Sequence, residues 1–191
     1  LGRFHLPDVT ISSTGARIWH LLGKNYQYAL AVAAIVAFFG YFIFFAHHLL
    51  DNHGFRMPWL ELDEQVQNGR WLGPLIGKLH YGANIPVFMQ GFSISIALIS
   101  ATIVAKSYNI INKPFDLFLY FSIILLLPIN LAFYYYTFMT PQFFIGNLFA
   151  VLAFFILLRT TFPRFLLGAL CLFLMMAAYQ PALSVFAVLL L

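Results

Sequence analysis

The chain has 191 residues, of which 62% are hydrophobic and 8% charged, with a formal net charge of +4 and a mean hydropathy of +0.88. Soluble domains carry about 25% charged residues, so these charges are too few to cover a water-facing surface, and lipid is the expected solvent for most of the chain. The Lys and Arg residues are dispersed singly, which argues against nucleic acid as a partner, and the single Cys171 excludes an internal disulfide and reads as a small packed hydrophobe.

Residues 1–25 are mixed and polar, without the ordered regions of a signal peptide, and are expected to form a cytoplasmic N-terminal segment. Tyr26 to Ala46 reads as a first span, followed by a polar region over 47–85. Ile85 to Ala105 is a second span, closed by Lys106, and a short link with Lys113, Pro114 and Asp116 leads to a third span from Phe115 to about Phe133. Tyr134, Tyr135 and Tyr136 then make an interfacial aromatic belt. Gln142 to Leu158 is a fourth span closed by Arg159, Phe165 to Tyr179 a shorter fifth, and Pro181 opens a sixth. From Ala182 to Leu191 the helix would measure ~15 Å against a hydrocarbon core of ~30 Å. The protein is therefore expected to continue beyond Leu191, and residues 26–191 to be the N-terminal part of a transmembrane domain. The fold class expected is all-α: a polytopic transmembrane helix bundle of about five to six spans, with an amphipathic helical first extracytoplasmic loop.

The cationic residues set an orientation. With the N-terminus cytoplasmic, Arg3, Arg17, Lys24, Lys106, Lys113, Arg159 and Arg164 fall inside, and only Arg56, Arg70 and Lys78 fall outside. The 47–85 loop then faces outward, carrying Asp51, Glu61, Asp63 and Glu64, four of the six carboxylates in the chain.

This loop is too long to be a plain connector. Pro58 suits the first turn of a helix, Gly69 the residue just past its end, and Gly73-Pro74 restarts a second helix from about Leu75 to Tyr81. On the first helix, Trp59, Asp63, Gln67 and Arg70 fall at helical spacing and share a face. A carboxylate there takes a proton from an attacking hydroxyl, and a guanidinium grips a departing phosphate with paired bonds. The same residues also suit a plain surface helix, in which early acidic residues favour the dipole and Asp63 and Arg70 form a weak exposed pair. His47, His48, Asp51 and His53 are competent metal ligands, but their spacing matches no closed zinc pattern. No cofactor is firmly expected, and a divalent metal is left open. No GxGxxG, P-loop, GxSxG or HExxH occurs, which argues against nucleotide binding in this region. No charge lies at the centre of any span, where pumps and proton relays keep one.

Several short motifs carry a resemblance. They are the acidic pair in LDE (Asp63, Glu64), NGRWLGPLIGKL (Asn68 to Leu79), the Pro86-bearing start of the second span, and AAYQPALSVF (Ala177 to Phe186). In these the chain resembles membrane-embedded, polyprenyl-phosphate-dependent glycosyltransferases of the GT-C class, and more narrowly the O-antigen (serotype-converting) glucosyltransferase family. The resemblance implies inverting transfer of a sugar, glucose foremost, from a polyprenyl-phosphate donor on the outer side of a bacterial inner membrane. The acceptor would be a surface glycan or its lipid-linked precursor. Asp63 or Glu64 takes the acidic position, with Asp51 a rival base. Arg70, joined by Lys78, takes the donor phosphate, and Trp71, Tyr179 and Gln180 line the cavity. The alternative is a non-catalytic transporter or flippase for lipid-linked sugars, whose inverted repeats and buried charges are not seen in this sequence.

Overall fold

The computed structural model describes residues 23–41, 66–78, 86–108, 113–126, 140–158 and 161–191. Every regular element among these residues is helical: α1 Gly23–Gly40, α2 Leu72–Lys78, α3 Pro86–Tyr108, α4 Pro114–Leu126, α5 Thr140–Leu157, α6 Phe162–Ala178, a one-turn 3-10 segment Gln180–Ala182, and α7 Leu183–Leu190. The all-α expectation holds.

Proline marks the helix starts. Pro86 and Pro114 are the first residues of α3 and α4, and Pro141 and Pro163 the second residues of α5 and α6. A first-turn amide has no intrahelical acceptor to lose, and the fixed φ of proline already suits the helix. Asp116 in the first turn of α4 and Lys106 in the last turn of α3 sit favourably against the helix dipoles. The segment expected from Phe165 begins three residues earlier, because Pro163 starts the helix after an extended Thr161. The expected Leu75 start likewise moves back to Leu72, with Pro74 inside the first turn of α2. The sixth segment does not open directly as an α-helix at Pro181: a 3-10 turn comes first, and α7 follows from Leu183.

Among the described residues, two helices are long and apolar enough to cross a membrane: Gln90–Tyr108 within α3, 19 residues, and α5, 18 residues. At 1.5 Å per residue each spans roughly the thickness of a hydrocarbon core. Large apolar side chains cover the outer face of α6, namely Phe165, Leu166, Leu167, Leu170, Phe173 and Met176. A continuous patch of this kind suits lipid far better than water.

Small residues allow the close contacts. Ala29, Ala33 and Ala37 form a buried stripe at four-residue spacing on α1, and Leu117, Phe121 and Leu125 form the same stripe on α4. The two helices pack together, alanine faces admitting the larger side chains opposite, as at small-residue interfaces in membranes. The Tyr41 hydroxyl, just past α1, donates to the Leu125 carbonyl. The Tyr120 hydroxyl donates to the Ala101 carbonyl at 3.1 Å and ties α4 to α3.

Helix α5 is the central post, packed by α3, α6 and α7. Tyr108 stacks on Phe154, with centroids 6.4 Å apart, and meets Phe155 edge-on. The C-terminal ends of α3 and α5 therefore adjoin and the two helices run parallel. Their N-terminal ends lie together at the opposite end of the bundle, where α6 finishes and α7 begins. At that end Gly146 makes the close approach: a Cβ on it would lie 3.0 Å from the Cβ of Tyr179. Only glycine lets the α6–α7 break sit this near α5.

Candidate active site

The site begins with a turn. The Gly69 amide donates to the Val66 carbonyl at 2.9 Å, and its φ of +77° is in the left-handed region that glycine reaches without Cβ strain. The chain leaves this turn with Arg70 outside any helix, and the Gly73 amide donates back to the Arg70 carbonyl at 3.1 Å as α2 starts. Gly69 thus stands where a terminating residue was expected. The shared helix face over Trp59, Asp63, Gln67 and Arg70 does not extend to Arg70, because the left-handed residue between Gln67 and Arg70 breaks the helical period. Trp59 and Asp63 themselves lie outside the described residues.

What places Arg70 is Gln180, 110 positions later. Arg70 Nε donates to Gln180 Oε1 at 2.6 Å, and Gln180 Nε2 donates to the Asn68 carbonyl, also at 2.6 Å. Guanidinium offers only donors and a carbonyl only accepts, so these partners fix which way the amide points. One side chain thereby fastens both sides of the Gly69 turn to the α6–α7 break. The Arg70 guanidinium lies 5.6 Å from the centre of the Tyr179 ring, within cation–π range. Phe143 packs on the same ring, with centroids 4.6 Å apart. With Nε engaged, the Nη protons of Arg70 have no hydrogen-bond partner among the described residues. They form the fork that binds a phosphate or carboxylate by two parallel bonds.

Beside this cluster lies a cavity of about 510 Å³ between α3, α4, α5 and α7. Tyr179 contributes to its wall, while the other two residues expected to line a cavity, Trp71 and Gln180, are not part of that wall. Trp71 lies on Phe173 of α6, centroids 5.8 Å apart, and Gln180 is taken up by Arg70 and Asn68. Lys78 is the last residue of α2. Asp51, Asp63 and Glu64, and with them His47, His48 and His53, lie outside the described residues. Among the described residues no group of three or more His, Cys, Asp or Glu gathers as a metal set.

Two further polar side chains lie at this end of the bundle and carried no sequence signal beyond being amides in apolar runs. Gln90, in the second turn of α3, is fully buried and Gln142, in the first turn of α5, is buried, and among the described residues neither amide atom of Gln90 nor Nε2 of Gln142 has a hydrogen-bond partner. A buried amide left without a partner costs about 1–3 kcal/mol.

The geometry joins the GRW and Tyr-Gln elements into one anion-competent cluster. Residues 40–191 match the model of the family described as Glucosyl transferase GtrII. The chain belongs to that family. No curated protein and no solved structure matches it. GtrII membership makes this chain a transferase of the glucosyl type, and its long apolar helices fit a membrane protein. Within the GtrII match fall both halves of the cluster, Asn68 to Trp71 and Tyr179 to Gln180.

Proposed function

We propose that this GtrII-family chain transfers glucose, with inversion, from a polyprenyl-phosphate donor to a surface glycan or its lipid-linked precursor. The transfer takes place on the outer side of a bacterial inner membrane, within a bundle of about five to six spans whose N-terminus is cytoplasmic. The observation that carries this reading is Arg70, held by Gln180 through Nε and backed by the Tyr179 ring, with its Nη fork turned to no described partner.

In this reading the acceptor hydroxyl oxygen attacks the anomeric carbon of the donor sugar as the bond to the phosphate oxygen breaks. The electron pair leaves with the phosphate, whose growing charge Arg70, joined by Lys78, neutralises. The proton goes to a loop carboxylate, Asp63 first, with Glu64 and Asp51 as the alternates. Direct displacement inverts the anomeric centre. The cationic residues support the orientation: Lys106, at the C-terminal end of α3, stacks its Nζ 5.0 Å over the Tyr26 ring, at the bundle end opposite Arg70.

The test is transfer of labelled glucose from polyprenyl-phosphoglucose by the full-length protein in lipid nanodiscs. Arg70→Ala should raise the donor KM at least tenfold, and Asp63→Asn or Glu64→Gln should lower kcat. Wild-type rates in both carboxylate variants would reject the assigned base, and no transfer from any polyprenyl-phosphate sugar would reject the activity.

A further inference from the structure

The cavity beneath Tyr179 raises a question of occupant, because a transferase of this kind must hold both a hydrocarbon chain and a polyhydroxylated sugar. The chemistry of its wall separates them. Three of its hydroxyls already give their protons to backbone carbonyls: Ser100 to Ile96 at 3.0 Å, Tyr120 to Ala101 at 3.1 Å, and Ser184 to Pro181 at 2.7 Å. Hydroxyls whose protons are already given to backbone carbonyls, locally for Ser100 and Ser184 and across to α3 for Tyr120, present mainly carbon to the space beside them. The rest of the wall is largely small or aliphatic, including Ala97, Ala101, Val104 and Val151, with the Asn147 amide and the Tyr179 phenol as its other polar groups. A sugar buried here would find few donors, whereas a hydrocarbon chain loses nothing.

The position agrees with the chemistry. Tyr179 is common to the cavity and to the anion-competent cluster, since its ring carries the Arg70 guanidinium and also forms part of the wall. From that ring the cavity follows α3 from Ala97 toward Val104, away from the end that holds Arg70. A phosphate on the Nη fork would therefore have its ester-linked chain start at Tyr179 and run along this wall. Helices α4 and α7 both line the cavity, and among the described residues they do not form a closely packed pair. The volume is in the range of small-ligand pockets, enough for the first isoprene units and too small for a whole polyprenyl chain.

Resting on the donor class proposed above, we infer that this cavity holds the phosphate-proximal isoprene units of the donor, and that the sugars are held outside it. The cavity then decides how the donor is held by its lipid and takes no part in choosing the acceptor.

The experiment narrows the cavity and reads the two substrates separately. In full-length protein in nanodiscs, Ala101→Phe and, from the exposed rim, Ser184→Phe are assayed with undecaprenyl-phosphoglucose and the glycan acceptor. Ala101→Phe should raise the donor KM about tenfold, as expected if burial of roughly two methylenes is lost, with the acceptor KM unchanged. Ser184→Phe should act in the same direction, more weakly, and its exposed position keeps the test valid if Ala101→Phe does not fold. A polyprenyl phosphate bearing a diazirine on its second isoprene should label peptides containing 97–104, 144–151 or 184–185 in the wild-type protein. A raised acceptor KM, an unchanged donor KM in both variants, or labelling confined to other peptides would overturn the assignment. Failure of the wild type to use any polyprenyl-phosphate sugar would instead sink the donor class, so the two failures are told apart.

Discussion

Gln180 gives the sharpest test of how the site is held. Replacing it with alanine removes two hydrogen bonds of 2.6 Å, one from the charged Arg70 and one to the Asn68 carbonyl. A bond to a charged group contributes about 1.5–3 kcal/mol and a neutral one about 0.5–1.5. Water takes up part of this, because Arg70 is only partly buried, so roughly 2 kcal/mol should be lost from the positioning of the fork. That corresponds to a fall of about 30-fold in kcat/KM for the donor. Gln180→Glu separates positioning from charge. The carboxylate still accepts from Arg70 Nε but no longer donates to Asn68, and it places a negative charge where a phosphate should bind. Gln180→Glu should thus hold thermal stability closer to wild type than Gln180→Ala while binding donor no better. Both are measured by initial rates over a donor series in nanodiscs, beside a melting curve. If both variants keep the wild-type donor KM, Gln180 does not position a donor-binding cation and the reasoning fails.

Four other outcomes are expected. Arg70→Lys keeps the charge but loses the planar fork, and its donor KM should rise about tenfold in the same assay. Tyr179→Phe keeps the ring under Arg70 and should stay near wild type, whereas Tyr179→Ala loses a contact of about 0.5–2 kcal/mol and should weaken donor binding accordingly. Gly69→Ala forces a Cβ into left-handed backbone at about 1–2 kcal/mol and should lower both the melting temperature and the donor affinity. Gln90→Leu removes a buried amide that has no partner among the described residues and should raise the melting temperature; if it lowers transfer at the same time, the amide is held for substrate, and if both fall the amide has a structural partner outside those residues.

The helical class and the placement of most helix starts were legible because proline and apolar run length act locally, and α3, α4 and α5 begin within two residues of the expected points. The elements GRW and Tyr-Gln were legible as motifs, but their contact was not. Residues 70 and 180 meet only through the folding of the five described helices between them, α2 to α6, and no spacing rule spans such a distance. Helical periodicity pointed Arg70 toward Asp63, and it failed at Gly69 because one left-handed residue ends the period on which the rule depends. Gln90 escaped notice because a single amide in an apolar run reads as a tolerated polar residue, and only the fold reveals that it is buried with no partner among the described residues.

Gly146 has a consequence for precision. Because α5 carries no side chain there, the backbone at Tyr179 rests directly on the central post, and Gln180 is the next residue along. Arg70 is hinged on that amide and braced by that ring, so its position is set from the central helix of the bundle. The loop delivers the cation, and the membrane core decides where it stands.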